Sequence, residues 1–289
     1  MKSEARITII ILLVMLCAFL LTLSGCSFKR ISRSKDIVYQ LADQKIPEQK
    51  LNIFAPKKHA QDKNVLIFIH GGNWNSGRKS QYNLIGRHWA KKDIVTVIID
   101  YPLSPAANYE TMAEASAQAV KWVKENISKY GGNPERIFVS GHSAGGHLAA
   151  LISTDDQYFK NLGIENPIAG TILIDAAGLD MDGYLQEEKF EKGHTYMNTF
   201  TSDPAIWKKA TPLYHLHKSM PPMLIYRGGK TYPSISKSNE KFIASLKEFA
   251  PETTYRVQKN KKHVPMITQF FNPWNRRYGE IIEFIKSPI

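Results

Sequence analysis

Two hydrophobic periods alternate along most of this chain. Val65–His70 (VLIFIH) and Ile94–Asp100 (IVTVIID) are unbroken runs rich in β-branched residues, the pattern of strands buried on both faces. Shorter runs of the same kind follow at Arg136–Ser140, Ile168–Asp175, Met223–Tyr226 and Thr253–Gln258. Two β-like stretches, Ile37–Gln40 and Lys50–Phe54, precede them. Between these runs the spacing turns helical. Gln81–Lys91 reads as a helix, and Tyr109–Lys129 sets Tyr109, Met112, Ser116, Ala119, Val120, Val123 and Ile127 on one stripe before Gly131-Gly132-Asn133-Pro134 ends it. Ala144–Ser153, Ser234–Phe249 and Arg277–Ile285 read as further helices. Residues 178–210 have no clean period and read as a partly helical, cap-like insertion. The alternation predicts an α/β fold: a mostly parallel eight-stranded sheet, helices on both faces, and the insertion after strand 6.

The first residues follow another rule. Lys2 and Arg6 precede an apolar run from Ile7 to Leu21 that ends in Leu23-Ser24-Gly25-Cys26. A basic start and a short apolar stretch form an export signal rather than a fold element. The ending resembles the lipobox of bacterial lipoproteins, where the cysteine thiolate accepts a diacylglycerol and the chain is cut just before it. The resemblance implies a signal peptide over 1–25, lipid (palmitate among its acyl chains) on Cys26, and a polar tether over 26–36. One domain over 37–289 then follows. It also implies a place on the bacterial cell envelope, lipid-anchored on the outer side of the cytoplasmic membrane or on the outer membrane. Cys17 lies inside the signal, so the mature chain would have no disulfide.

Composition narrows the picture modestly. With 289 residues, 43% of them hydrophobic and 22% charged, the chain suits one globular domain with a sizeable core. The net charge of +12 comes from lysines and arginines scattered through the sequence, with no nucleic-acid motif around them. That predicts a solvated basic surface first, attraction to anionic lipid headgroups second, and no nucleic-acid partner.

Chemistry concentrates at Gly141-His142-Ser143-Ala144-Gly145. This is G-x-S-x-G with a strand before it and a helix after it, the context in which a tight turn lifts the serine hydroxyl above a sheet. The helix start adds free N–H groups where an oxyanion would form. Ser140-Gly-His-Ser-Ala-Gly-Gly-His147, together with His70-Gly-Gly-Asn-Trp74 upstream, resembles the α/β-hydrolase superfamily. Within it, the similarity is to the esterase/lipase group related to hormone-sensitive lipase and the bacterial kynurenine-formamidase-like enzymes, from about residue 37 onward. The resemblance implies Ser143 as nucleophile and an oxyanion hole formed by the N–H groups of Gly72, Asn73 and Ala144. Asn73 replaces the family's third glycine. His70 is expected to brace its loop.

In that family the base follows the last strand, and of nine histidines only His263 lies beyond His217. His142 is expected to point away from the nucleophile and His147 to pack inside. His215 and His217 are expected in a loop, and no histidine pair has metal-ligand spacing, so neither metal nor cofactor is expected. The family's usual acid position, after the next-to-last strand, falls on Thr231, which carries no charge. Two carboxylates could stand in. Asp175 ends the sixth strand at the carboxyl edge of the sheet, where pancreatic-type lipases of the same superfamily keep their acid, and Asp180 follows five residues later. A Ser–His dyad without an acid is the third possibility.

The expected activity is carboxylic ester hydrolysis through an acyl-enzyme on Ser143, acting on a small-molecule ester. Trp74, Tyr101, Trp207 and the insertion are candidate contributors to the acyl pocket. Arylformamide or amide hydrolysis and polysaccharide deacetylation are alternatives, and Thr231 favours a further one, a catalytically weak binding lipoprotein.

Overall fold

A computed structural model of the protein describes residues 30–44, 46–57 and 61–287. The export signal, Cys26 and the tether up to residue 29 lie outside the described residues. Residues 31–289 form one unit. It opens with β1 (Ile31–Gln40), β2 (Gln49–Pro56) and β3 (Lys63–Ile69), followed by α1 (Asn83–Ala90), β4 (Val95–Ile99) and α2 (Tyr109–Asn126). Next come β5 (Gly132–His142), α3 (Ala144–Thr154), α4 (Gln157–Lys160) and β6 (Ile168–Ile174). Three short helices, α5 (Met181–Glu187), α6 (Thr195–Phe200) and α7 (Pro204–Lys209), make up the insertion. The chain closes with β7 (Met223–Gly228), α8 (Pro233–Phe249), β8 (Thr254–Gln258), α9 (His263–Thr268) and α10 (Arg277–Lys286).

The eight strands form one sheet in the order β1-β2-β4-β3-β5-β6-β7-β8. β1, β2 and β4 pair antiparallel, and every pair from β4 to β8 is parallel. The unbroken apolar runs are explained by cover on both sides. Val65, Ile67 and Ile69 of β3 face a core shared with α2, α3 and α8, while Leu66 and Phe68 face a second core under α1, α9 and α10. α3 is buried on every side, which is why its sequence, AGGHLAALIST, shows no polar face. α2 starts where the Asn108 side chain accepts the N–H of Thr111 and is followed by a 3₁₀ turn ending at left-handed Gly131.

The strand at the β1 edge corrects one expectation. β1 begins at Ile31, so residues 31–36, read as tether, are strand paired with β2 from Ile31 opposite Pro56 to Ser34 opposite Ile53. The register breaks between Ser34 and Ile37, where Asp36 turns left-handed (φ 55°). Its N–H donates to Asn52 Oδ1 (2.9 Å) and its carboxylate pairs with Lys79 (3.0 Å). An edge strand whose register breaks here and again between Val38 and Gln40 needs few apolar residues, so its sequence carries little β signal.

Candidate active site

The carboxyl ends of β3, β5, β6 and β7, with the turn after β8, bring the candidate residues together. Ser143 sits between β5 and α3 with φ 57° and ψ −123°, a conformation that side-chain-bearing residues rarely hold. Such strain costs about 1–3 kcal/mol, comparable to what burying one isoleucine contributes, so the packed sheet edge can hold it. Gly145 is required because a Cβ there would lie 2.2 Å from the carbonyl oxygen of Ile69. Ser143 is tied on both sides: its N–H donates to Ile174 O (3.3 Å), and its carbonyl accepts from His147 and Ala177 (both 3.1 Å).

From the Ser143 hydroxyl a line of hydrogen bonds runs inward. Ser143 Oγ is 2.8 Å from His263 Nε2, and His263 Nδ1 is 2.6 Å from Asp175 Oδ2. Asp175 is completely buried at the end of β6, itself left-handed (φ 49°). Its Oδ1 accepts the N–H of Gly228 (2.7 Å), and its Oδ2 accepts both the imidazole and the Thr231 hydroxyl (2.5 Å). Three donors thus converge on a carboxylate that burial alone would penalise. Asp180 is occupied elsewhere. It caps α5 through Gly183 N–H (3.1 Å), pairs with Lys241 (2.5 Å), and makes no hydrogen bond to His263.

The segment after β3 makes the facing wall. Gly72 has φ 133°, and a Cβ there would stand 2.1 Å from Ser76 O, so only glycine fits. Asn73 and Trp74 follow in left-handed conformations (φ 51° and 58°), while Gly72 O accepts from Asn75 and Ser76. Among the described residues, no hydrogen bond is donated by the N–H of Gly72, Asn73 or Ala144. His70 holds this segment from beneath. It stacks on Tyr101 (4.4 Å), its Nδ1 donates to Gly71 O (2.8 Å), and burial lowers its pKa.

The other histidines differ in one respect from expectation. His147 is packed inside as expected, accepting from Trp74 Nε1 (3.3 Å) and donating to Ala210 O (2.7 Å). Burial pushes its pKa down to about 4. His142 does not point away. Its ring stacks on that of His263 (4.6 Å, 29°), and its Nε2–H donates to the His263 carbonyl (3.2 Å). Burial, helped by the charge of His263, pushes its pKa down to about 3, so this neighbour is neutral at ordinary pH. On another side of His263 lies Tyr232 at 5.2 Å. Neither contact was foreseen, although the middle position of G-x-S and the residue after Thr231 were the places to look. His215 and His217 sit near Asp155 and Asp156 (3.7 and 3.9 Å), and among the described residues no group of three or more metal-ligating side chains gathers.

Ser143 and His263 open onto a cavity of about 890 Å³. Its lining includes the apolar side chains of Trp74, Met181, Tyr184, Tyr196 and Ile235, three of them from the insertion, and the more polar Ser76, Gln81 and Tyr82. Tyr196 packs edge-on against both Trp74 (5.6 Å) and Tyr184 (5.2 Å). Tyr101 and Trp207 are not in the lining. Tyr101 is spent on His70, and Trp207 donates to Thr201 O (3.0 Å).

Fold and site together define an α/β-hydrolase of the esterase group. The chain belongs to the BD-FAE family, whose model matches residues 51–242. It is 25% identical over 270 residues to a probable isoprenylcysteine α-carbonyl methylesterase of Arabidopsis thaliana, covering 88% of this chain and 55% of that protein. It is 31% identical over 214 residues to esterase LipQ of Mycobacterium tuberculosis, covering 69% of this chain and 49% of that one. The chain therefore spans only about half the length of these curated relatives. Among solved structures, esterase B of Lactobacillus rhamnosis has the same fold (TM-score 0.70, 16% identity, 99% of this chain and 95% of that one). So does Thermogutta terrifontis esterase 2 phosphonylated by sarin (TM-score 0.70, 20% identity, 91% and 98%).

Proposed function

We propose that the chain is a serine carboxylesterase that acts on small-molecule esters through an acyl-enzyme. The observation that carries this reading is the continuous hydrogen-bond line Ser143–His263–Asp175 (2.8 and 2.6 Å), set opposite unclaimed N–H groups. His263 takes the proton of Ser143 as Oγ attacks the ester carbonyl, and Asp175 holds Nδ1–H and offsets the imidazolium charge. The N–H groups of Gly72, Asn73 and Ala144 receive the oxyanion. The intermediate collapses, His263 passes its proton to the departing alcohol, and water, activated by the same imidazole, releases the acid and frees Ser143.

The same reading places the enzyme on the bacterial cell envelope through lipid on Cys26, on the strength of the N-terminal pattern Lys2, Arg6, Ile7–Leu21 and Leu23-Ser24-Gly25-Cys26. Two measurements test these statements. p-Nitrophenyl acetate hydrolysis should disappear in Ser143→Ala, and persistence at the wild-type rate would refute the esterase. Incorporation of labelled palmitate should be lost in Cys26→Ser, and retained label would refute the anchor.

A further inference from the structure

One flank of the cavity mouth is cationic and apolar at once. It is formed by the turn after β7 and the turn after β8, which are joined where Lys230 N–H donates to Lys261 O (2.9 Å). The sequence from 227 to 239 holds no Asp or Glu, and neither does the sequence from 258 to 279. Lys230, Lys259 and Lys262 are exposed and Lys261 is half-buried, and among the described residues none of the four makes an ion pair. The carboxylates that line the cavity, Asp180 and Glu188, stand on the insertion instead, and Asp180 is neutralised by Lys241.

In these two turns and in the segment that follows the second stand large apolar side chains open to solvent. Tyr232 and Val264 line the mouth itself and are 58% and 57% exposed. Val264, Thr268 and Phe271 recur at helical spacing along α9 and the 3₁₀ turn after it, and all three are exposed, so one ridge leads away from the mouth. Trp274 follows three residues on and is 86% exposed, the most open of the exposed large apolar residues. Tryptophan and tyrosine suit the headgroup level of a bilayer, where one end is apolar and the other wet.

We infer that this flank, the lysines of the two turns with Tyr232, Val264, Phe271 and Trp274, docks on an anionic phospholipid bilayer. Lysines draw the face to the charged surface, and the apolar side chains enter the headgroup layer, the two-part chemistry of interfacial binding. A soluble polyanion would engage the lysines and leave Trp274 in water, so the paired apolar ridge favours the bilayer. Docking stands on the surface alone. Its consequence for substrate, that esters reach Ser143 from the membrane beside the mouth, rests on the esterase reading above.

The test reads contact of this face through Trp274 rather than turnover. Full-length protein is mixed with phosphatidylcholine vesicles containing a brominated lipid, with or without phosphatidylglycerol, and tryptophan quenching is followed. Quenching is expected with phosphatidylglycerol, weak without it, abolished in Trp274→Phe, and reversed by salt. The charge-reversed variant Lys230→Glu/Lys259→Glu/Lys262→Glu, shown to be folded by circular dichroism, should lose it too. Four results overturn the proposal: equal quenching on neutral vesicles, no quenching on anionic ones, dextran sulfate bound as strongly as vesicles with Trp274 unquenched, or a protein dimer that buries Trp274. Ser143→Ala should dock like wild type, so failure of docking and failure of hydrolysis are read separately.

Discussion

Thr231 and His263 share a single oxygen of Asp175: the hydroxyl lies 2.5 Å and the imidazole 2.6 Å from Oδ2. The position where related enzymes would keep an acid therefore supplies a hydrogen bond to a carboxylate that comes from the neighbouring strand. Threonine here is a support for Asp175. Replacing it by valine should lower kcat about tenfold, the effect of one lost hydrogen bond to a charged group, with serine restoring most of the rate. An unchanged rate in Thr231→Val would mean that the hydroxyl only fills space.

Removing the carboxylate itself should cost more. Asp175→Asn leaves the shape but presents an amide to His263, and kcat should fall by about 10³–10⁴, whereas Asp180→Asn should change it little while weakening the α5 cap. Because Thr231 lies beside Asp175, Thr231→Asp in the Asp175→Asn background should recover at least tenfold of the loss. Steady-state hydrolysis of p-nitrophenyl acetate by the three variants decides the matter, and no recovery would mean that the turn after β7 cannot reach the imidazole.

Much of this was readable in advance, and the reason differs by element. β3 and β4 announce themselves because both faces are covered, and G-x-S-x-G because its glycines answer to backbone contacts. The Thr231–Asp175 pair is separated by more than fifty residues and arises because β6 and β7 are parallel neighbours, with Ile174 opposite Tyr226. Linear spacing does not reveal which strand ends meet. Residues 31–36 were hidden because an edge strand can be polar, and the His142 stack because the direction of a side chain at a tight turn depends on backbone angles the sequence does not state.

The oxyanion segment should tolerate nothing larger at position 72. Gly72→Ala asks alanine to hold φ near 133° with its Cβ 2.1 Å from Ser76 O, so the 72–76 turn must shift. A fall of about 10²–10³ in kcat is expected, the loss typical of one displaced oxyanion donor, with the melting temperature lowered by the strain of holding alanine there. Full activity in Gly72→Ala would argue that these N–H groups do not meet the reacting oxygen.

Acid should destabilise the fold through two histidines. His142 and His147 fall from an ordinary 6.5 to about 3 and about 4 because burial excludes their charged forms. The unfolded chain binds protons below about 6.5 that the folded chain refuses, so stability is full above that pH and is lost as pH falls toward 4 and then 3. Two such groups would remove roughly 5 kcal/mol between pH 7 and 4.5. Urea unfolding at the two pH values should show the drop, and His147→Gln, which keeps a donor and an acceptor, should reduce it by about half. An equal drop in the variant would assign the effect to other groups.

The insertion should set the acyl or alcohol size. Tyr196 lines the cavity and packs against Trp74 and Tyr184, so Tyr196→Ala should raise kcat/KM for long-chain relative to acetyl esters by about tenfold. An unchanged ratio across graded p-nitrophenyl esters would place the chain-length limit elsewhere.

The nucleophile is tested most directly by mass. Intact protein treated with a fluorophosphonate should gain one phosphonyl group, mapped by peptide sequencing to Ser143. The adduct should be absent from folded Ser143→Ala and should form far more slowly in His263→Ala. A folded wild-type protein that stays unlabelled, or an adduct on a different serine, would contradict the account.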